Sequence, residues 1–527
     1  MATIYIDEDV GKDETTQQGT EESPYKTLQF AYLQRPGETQ YLTRKSQDAA
    51  DEAAKEWKPA AKSALKKAVN YFEQQKKKAA RELELVAERK KVEDERNKVL
   101  EEAKSIVIEQ DPSLPAPVRI QLDETGDHIK LRKSDDPESK GTRVRVLGRV
   151  HRERKQKDVL FVTLRDGYGF MQVVISGKLA KTYDALTLAR ETSMEIFGEM
   201  YEVPAGAHAP LNRELRADFY KIPPHWKAPG GDDAITNRVQ AGAEQATLLD
   251  LRHLALRGEV ASGIMLVRDA VEDAFNRAYR EIRFRKVSPP ALVQTQVEGG
   301  ATLFKFDYYG ADAFLTQSSQ LYLETCLASM GSVYCIEKSF RAEKSLTRRH
   351  LSEFTHVEAE LDFIDFDDLL SHIEHLICRV LELTLADPVI AEKIQTLNPG
   401  FKIPERPFMR MKYSDAIDWL REHEILNEEG NPHTFGDDIA EAAERRMTDI
   451  INKPIFLTHF PFQIKSFYML RDPKDDRVTE SVDCLLPGVG EIVGGSMRLD
   501  DHDKLMAAFE REGINPEPYY WYTDQRK

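Results

Sequence analysis

Ser339-Phe340-Arg341-Ala342-Glu343, followed by Thr347-Arg348-Arg349-His350-Leu351-Ser352-Glu353-Phe354, is the stretch whose reading decides the fold. Arg341 and Glu343 are two residues apart, so on a strand both project from one face. The turn after them carries two arginines and a histidine and closes on an aromatic ring. A guanidinium can hold a phosphate through two parallel hydrogen bonds, and a phenyl ring offers a stacking face for a base. By spacing alone, the same residues also fit a strand with exposed charges and a salt bridge.

Outward from this stretch, strand-like runs occur at Ala291–Thr295, Thr302–Phe306, Val333–Phe340, His356–Phe363, Ile455–Thr458, Phe467–Leu470, Ser481–Leu486 and Ile492–Val493. Turns and loops join most of them, and few are joined by helices of crossover length. That predicts an antiparallel sheet and not a doubly wound parallel one. Ser262 reads as the N-cap of a helix to Arg283, with an apolar stripe from Ile264 to Ile282. Phe366–Leu385 and Tyr413–Glu422 read as further helices, and Asp365, Asp367 and Asp368 as the start of the first. His372 and His375 stand three apart like metal ligands, but no third ligand is evident, and a solvated helix face is the expected role.

Toward the N-terminus, Arg143–Val150, Val159–Arg165 and Phe170–Ile175 alternate with period two, the last two joined by the turn Asp166-Gly167-Tyr168-Gly169. They predict a small barrel closed by short strands within Glu199–Pro224, with a linker through Pro223–Gly231. Residues 1–50 are polar, with a short strand expected at Thr3–Ile6. Lys55–Leu100 is rich in Ala, Lys, Glu and Arg at helical spacing, with basic residues in excess. It reads either as a solvated helix laced with ion pairs or as a cationic arm for a phosphate backbone.

The whole chain has 527 residues, enough for three or four domains, with 41% hydrophobic and 31% charged residues. No apolar stretch approaches the ~18 residues a membrane-spanning helix needs. The N-terminus lacks the basic and apolar regions of a secretory signal. Cys326, Cys335, Cys378 and Cys484 form no CxxC pair, so buried thiols in the cytoplasm are expected. A net charge of −16 means that any nucleic-acid contact must come from local patches.

Phe340-Arg341-Ala342-Glu343 with Thr347–Phe354 resembles motif 2 of the class II aminoacyl-tRNA synthetases, in the aspartyl/asparaginyl subclass. The Ser262–Arg283 helix with Val287-Ser288-Pro289-Pro290 resembles their motif 1, a dimer-interface element. Glu298-Gly299-Gly300-Ala301, Gln317-Ser318-Ser319-Gln320-Leu321-Tyr322 and Gly490-Glu491-Ile492-Val493-Gly494-Gly495-Ser496-Met497-Arg498 resemble further segments of the subclass. The match extends from Gly141 to Lys527 and is closest to the cytosolic eukaryotic members that use asparagine.

The resemblance implies an α+β fold: a class II antiparallel sheet with flanking helices, preceded by an OB-fold barrel and a lysine-rich helical extension. The implied domains are 1–112 (extension), 113–228 (anticodon-binding OB-fold) and 229–527 (catalytic). It implies ATP-dependent activation of L-asparagine and its transfer to tRNA(Asn), a homodimer through residues 262–290, no membrane and a cytoplasmic location. Arg341 would bridge the α-phosphate and the substrate carboxylate, Glu343 would read the adenine amino group, and Phe354 would stack on the ring beside Leu351. Arg349 and His350 would hold the distal phosphates. Glu491 would ligate Mg2+ with Asp483 as helper, an oxygen-only set that suits a hard cation. Glu298 would bind the substrate ammonium group, with Gln320 and Gly494 completing the amino-acid site.

The aspartyl enzymes place a lysine where this sequence has Leu323, followed by Glu324. Glu324 would accept from an amide NH2 and Arg498 would donate to the amide oxygen, favouring asparagine over aspartate. Its other reading is a plain salt bridge to a neighbour. Phe161 and Gln172 match the anticodon-binding positions, although by pattern alone Phe161 fits a core residue. Rival readings are an aspartyl-specific or non-discriminating ligase, and a catalytically impaired, synthetase-derived RNA-binding protein. The last rests on motif 3, a Gly-x-Gly-x-Gly-x-x-Arg strand and helix that does not occur before Lys527. Without it the chain as written is expected to fold poorly or to activate asparagine weakly.

Overall fold

The computed structural model describes residues 3–37, 40–45, 56–133, 136, 138–204, 206–240, 242–295, 297, 303–344 and 350–527. They form two units, Met1–Glu244 and Gln245–Lys527.

In the first unit, β1 (Thr3–Asp7) pairs in parallel with β2 (Gln40–Arg44), and α1 (Leu28–Gln34) is capped by Thr27, whose hydroxyl accepts from the Phe30 N–H. Ile4, Ile6, Tyr25, Ala31 and Tyr41 form their core. The long helix α2 (Lys62–Ala103) follows, with most side chains exposed. Good helix formers without an interrupting Gly or Pro keep such a run helical although it buries no continuous stripe.

Five strands build the barrel: β3 (Arg143–Gln156), β4 (Val159–Arg165), β5 (Phe170–Ser176), β6 (Ser193–Glu202) and β7 (Arg213–Lys221). The order is β3-β4-β5-β7-β6, and β6 closes back on β3. Closure thus starts at Ser193, earlier than the Glu199 expected. Alternation decides what is inside: Leu160, Val162 and Leu164 of β4 meet Met171, Val173 and Ile175 of β5 in the core.

In the second unit one helix packs between two of the sheets. The elements that build the site include α3 (Glu259–Glu281) and α4 (Gln320–Met330), then β8 (Val333–Phe340) and β9 (Glu353–Glu360). Helix α5 (Phe366–Leu385) precedes β10 (Met409–Lys412), α6 (Tyr413–Glu422) and α7 (Glu441–Ile451). Strands β11 (Ile455–Thr458), β12 (Ser481–Leu486) and β13 (Gly490–Ser496) and helix α8 (His502–Arg511) follow. Strands β8 and β9 are antiparallel, from Val333 opposite Glu360 to Phe340 opposite Glu353. The second sheet runs β10-β11-β12-β13, antiparallel except for its first pair.

Helix α5 joins the two layers because its apolar positions recur with helical period on two sides. Ile373 and Ile377 pack with Phe456, Val482 and Cys484, whereas Leu376, Val380 and Leu383 pack with Tyr279 and Tyr334. Its start is a capping box, Asp365 accepting from the Asp368 N–H while Asp368 accepts from the Asp365 N–H.

Four local expectations are corrected. Ser262 does not cap α3: the helix starts at Glu259 after the extended Gly258, and the Ser262 hydroxyl instead bonds back to the Glu259 carbonyl at 3.3 Å. Phe467–Leu470 is not a continuous strand; it is a loop in which Met469 makes an isolated antiparallel bridge to Arg498, and it drives Phe467 and Tyr468 into a cluster with Phe509 and Tyr519. Short apolar runs record burial, and burial does not require a ladder. The strand expected at His356–Phe363 sits three residues earlier, in the register of β8. His372 does not lie on a solvated face. Its ring stacks on Phe284 with centroids 5.2 Å apart and planes 3° from parallel, and burial pushes its pKa down to about 4.

Among the described residues, no helix is long and apolar enough to cross a membrane. All four cysteines are free, with Cys335, Cys378 and Cys484 buried.

Candidate active site

A cleft of about 2810 Å³ opens within the second unit. The β8–β9 hairpin supplies one wall. The ladder ends at Phe340 opposite Glu353, and the Arg341 N–H reaches the Ser352 carbonyl at 3.1 Å. Arg341 and Glu343 therefore lie just beyond the strand, not on one strand face as expected, yet both line the cleft. His350, Leu351 and Phe354 line it from the returning chain, and the Arg341 guanidinium sits 5.4 Å over the Phe354 ring. Arg349 falls outside the described residues, as does Glu298.

The opposite wall comes from β12 and β13. Asp483 stands opposite Gly494 in the register, with Glu491 three residues before Gly494. A Cβ on Gly494 would fall 2.9 Å from Glu491 Oε1 and 3.6 Å from Asp483 Oδ1, so the two carboxylates share the space over this glycine. Lys465 Nζ donates to Asp483 Oδ2 at 2.8 Å and lies 3.8 Å over the Phe460 ring. Glu444 of α7 also lines this wall; burial, reinforced by the charges of Glu491 and Asp483, pushes its carboxyl up to about 8.

The floor is a buried charge cluster. Arg498 donates from Nε to Glu360 Oε2 at 3.2 Å and from Nη2 to Glu360 Oε1 at 2.7 Å. Its third nitrogen donates to Ser496 Oγ at 2.6 Å. Glu324 Oε1 lies 3.6 Å from Arg498 Nε and accepts from Gln320 Nε2 at 3.0 Å and Tyr522 Oη at 3.3 Å. Its Oε2 is paired with Arg526. Burial raises the Glu360 carboxyl above its ordinary range, against the pull of Arg498. The arrangement presents a guanidinium donor beside a carboxylate acceptor, the complement of a primary amide.

The structure thus gathers Arg341, Glu343, His350, Leu351, Phe354, Gln320, Glu324, Asp483, Glu491, Gly494 and Arg498 around one cleft. Sequence reasoning missed Glu358, Glu360, Glu444, Lys465, Tyr522 and Arg526. Glu358 accepts from Ser318 Oγ and, at 2.9 Å, from the Ser319 N–H, which anchors the start of α4. Alternation in His356-Val357-Glu358-Ala359-Glu360 was a usable signal for two of them; the others had no local signature.

On the barrel, Phe161 and Gln172 both project from the outer face of adjacent strands and not into the core, against the pattern reading of Phe161. The Arg154 guanidinium lies 5.0 Å over the Phe161 ring, and Gln172 Nε2 donates to Glu214 at 3.0 Å.

Comparison with known proteins follows these divisions. The family of class II tRNA synthetases (D, K and N) matches residues 244–527, the asparaginyl-tRNA synthetase N-terminal domain residues 20–115, and the OB-fold nucleic acid binding domain residues 144–222. The cytoplasmic asparagine–tRNA ligase of Saccharomyces cerevisiae is 50% identical, the match covering 100% of this chain and 93% of that protein. The human cytoplasmic enzyme is 45% identical, with 100% and 92% covered. Among solved structures, Entamoeba histolytica asparaginyl-tRNA synthetase in complex with asparaginyl-adenylate superposes with a TM-score of 0.69 at 41% identity, covering 78% of this chain and 90% of that one. The Pyrococcus horikoshii complex with asparaginyl-adenylate gives 0.66 at 34% identity, covering 74% and 88%.

Proposed function

The chain belongs to the class II tRNA synthetases of the aspartate, lysine and asparagine group, and on that premise we propose that it is an asparagine–tRNA ligase. In the first step a carboxylate oxygen of asparagine attacks the α-phosphorus of ATP and pyrophosphate leaves. In the second, a terminal ribose hydroxyl of tRNA attacks the adenylate carbonyl and AMP leaves. Neither step needs a protein nucleophile. The protein's contribution is positioning and charge neutralisation.

One observation carries the choice of amino acid: the Arg498 guanidinium, a donor, and the Glu324 carboxylate, an acceptor, stand 3.6 Å apart in the cleft that Arg341 and Glu491 also line. Asparagine's amide satisfies both groups, whereas aspartate would set a second carboxylate against Glu324. Arg341 would bridge the α-phosphate and the substrate carboxylate. Glu343, Leu351 and Phe354 would hold the adenine, Arg349 and His350 the outer phosphates, and Glu298, Gln320 and Gly494 the amino-acid backbone.

Asp483 and Glu491 would hold Mg2+. Among the described residues no group of three or more metal-ligating side chains is assembled, but two carboxylates converge over Gly494. Such a pair suits magnesium, which takes its remaining ligands from phosphates and water. When bound, the ion would neutralise phosphate charge.

Residues 1–112 would serve as an appended domain with a basic helix, 113–228 as the anticodon-binding barrel reading tRNA(Asn) with Phe161 and Gln172, and 229–527 as the catalytic domain. The exposed Val260, Ile264, Met265 and Leu266 of α3 support a homodimer through residues 262–290. The cytoplasmic names of the relatives support the same location here.

The test is asparagine-dependent ATP–pyrophosphate exchange. Exchange is expected with asparagine and not with aspartate, and Arg341→Ala should lower it roughly a hundredfold or more. Equal exchange with both amino acids would defeat the reading.

A further inference from the structure

We propose that Arg526 is a specificity-determining residue of the amino-acid pocket, holding the far oxygen of Glu324 so that the near oxygen stays aimed at the substrate amide. The proposal rests on the reading of Glu324 as the amide acceptor.

Glu324 and Arg526 have 3% and 8% of their side chains exposed, so this ion pair is screened little by water. Arg526 is itself held at every nitrogen. Nη2 donates to Glu324 Oε2 and, at 3.1 Å, to Tyr522 Oη; Nε donates to the Leu499 carbonyl at 3.1 Å; Nη1 donates to the Tyr522 carbonyl at 3.4 Å. Its plane lies 4.1 Å over the Tyr522 ring. Arg526 thereby holds Glu324 at Oε2, while Oε1 faces Arg498 and accepts from Gln320 and Tyr522.

The charge count explains why the clamp bears on selectivity. Glu324 and Glu360 are paired with Arg498 and Arg526, and the nearby Glu358 adds a further carboxylate to the cluster. A neutral amide adds no charge to this cluster, whereas a carboxylate adds an unmatched buried one. Without Arg526, both carboxylates would compete for Arg498, which already gives two hydrogen bonds to Glu360. Arg498 would then be drawn toward Glu324 and away from the substrate's amide oxygen.

The experiment compares Arg526→Met, Arg526→Lys, Glu324→Gln and the Glu324→Gln/Arg526→Met double variant in the full-length protein. The readouts are pyrophosphate-exchange KM for asparagine, KM for ATP, exchange with aspartate, and thermal unfolding. Arg526→Met should raise the asparagine KM at least tenfold, leave the ATP KM within twofold, and narrow the preference over aspartate. The double variant should be no worse than Glu324→Gln, because both remove one coupled unit. An asparagine KM within twofold of the parent overturns the proposal, as does a joint rise of both KM values with a lowered unfolding temperature. If Arg526→Met does not fold, Arg526→Lys decides by the same criterion, since lysine keeps the charge but loses the planar fork. If Glu324→Gln leaves the preference for asparagine intact, the amide-acceptor reading itself has failed. If that variant loses the preference while the Arg526 variants keep it, only the role of Arg526 has failed.

Discussion

Arg498 grips Glu360 through two parallel hydrogen bonds although 138 residues separate them in the chain. The grip fixes the guanidinium plane, with Nη1 turned to Ser496 Oγ and Glu324 Oε1 3.6 Å from Nε. Arg498→Lys keeps the charge but cannot make the two-pronged contact. The asparagine KM should rise roughly ten- to a hundredfold, about 1.4 to 2.7 kcal/mol, with little change in the ATP KM. Steady-state pyrophosphate exchange measures this, and an unchanged asparagine KM would remove Arg498 from the pocket.

Gly494 lies beneath two carboxylates, and its missing side chain keeps that space open. Gly494→Ala should fold normally, because the atom it meets first, Glu491 Oε1, is the far end of a flexible side chain. The displaced Glu491 should lower kcat for adenylation by roughly tenfold or more and raise the Mg2+ concentration needed for half-maximal activity. A magnesium titration of the variant is the check. Parent-like behaviour would place the metal elsewhere.

Phe161 is half-buried, lies outside the barrel's core cluster and projects from the outer face beneath Arg154. Phe161→Ala should change unfolding free energy by less than about 1 kcal/mol. Loss of a stacked base, about 1–3 kcal/mol, should raise the KM for tRNA roughly five- to a hundredfold while exchange without tRNA stays at the parent level. A large loss of stability with unchanged tRNA affinity would instead return Phe161 to a structural role.

His372 predicts an acid-sensitive fold. Burial lowers its pKa from 6.5 to about 4, with His375 on the same helix adding repulsion. Tyr279 and Phe284 pack against the ring and offer it no counter-charge. Because the folded pKa lies below the unfolded one, the unfolded state binds the proton first as pH falls. Stability is therefore full above about pH 6.5 and declines as pH falls toward 4. His372→Phe should remove that loss, on the order of 2 kcal/mol at pH 4.5 relative to pH 7.5. Denaturant unfolding at the two pH values measures it, and an equal loss in both proteins would refute the assignment.

The sequence alone determined those elements whose cause is local. Strands β8, β11 and β12 and helices α5 and α6 have the limits read from periodicity, because hydrogen bonding within a helix and alternation along a strand depend on residues a few positions apart. Arg341, Glu343, His350, Leu351 and Phe354 were legible for the same reason: they lie at or next to the paired ends of β8 and β9. Tertiary structure alone decided the pairs far apart in the chain, Arg526 with Glu324 and Arg498 with Glu360. It also decided that Phe161 faces outward, that Ser262 lies inside a helix, and that an apolar run at Phe467–Leu470 fills a core while making a single β-bridge through Met469. Such contacts have no period to read. They follow from how whole layers pack, a sum of many weak and individually undirected apolar contacts that brings distant charges together only after the core has formed.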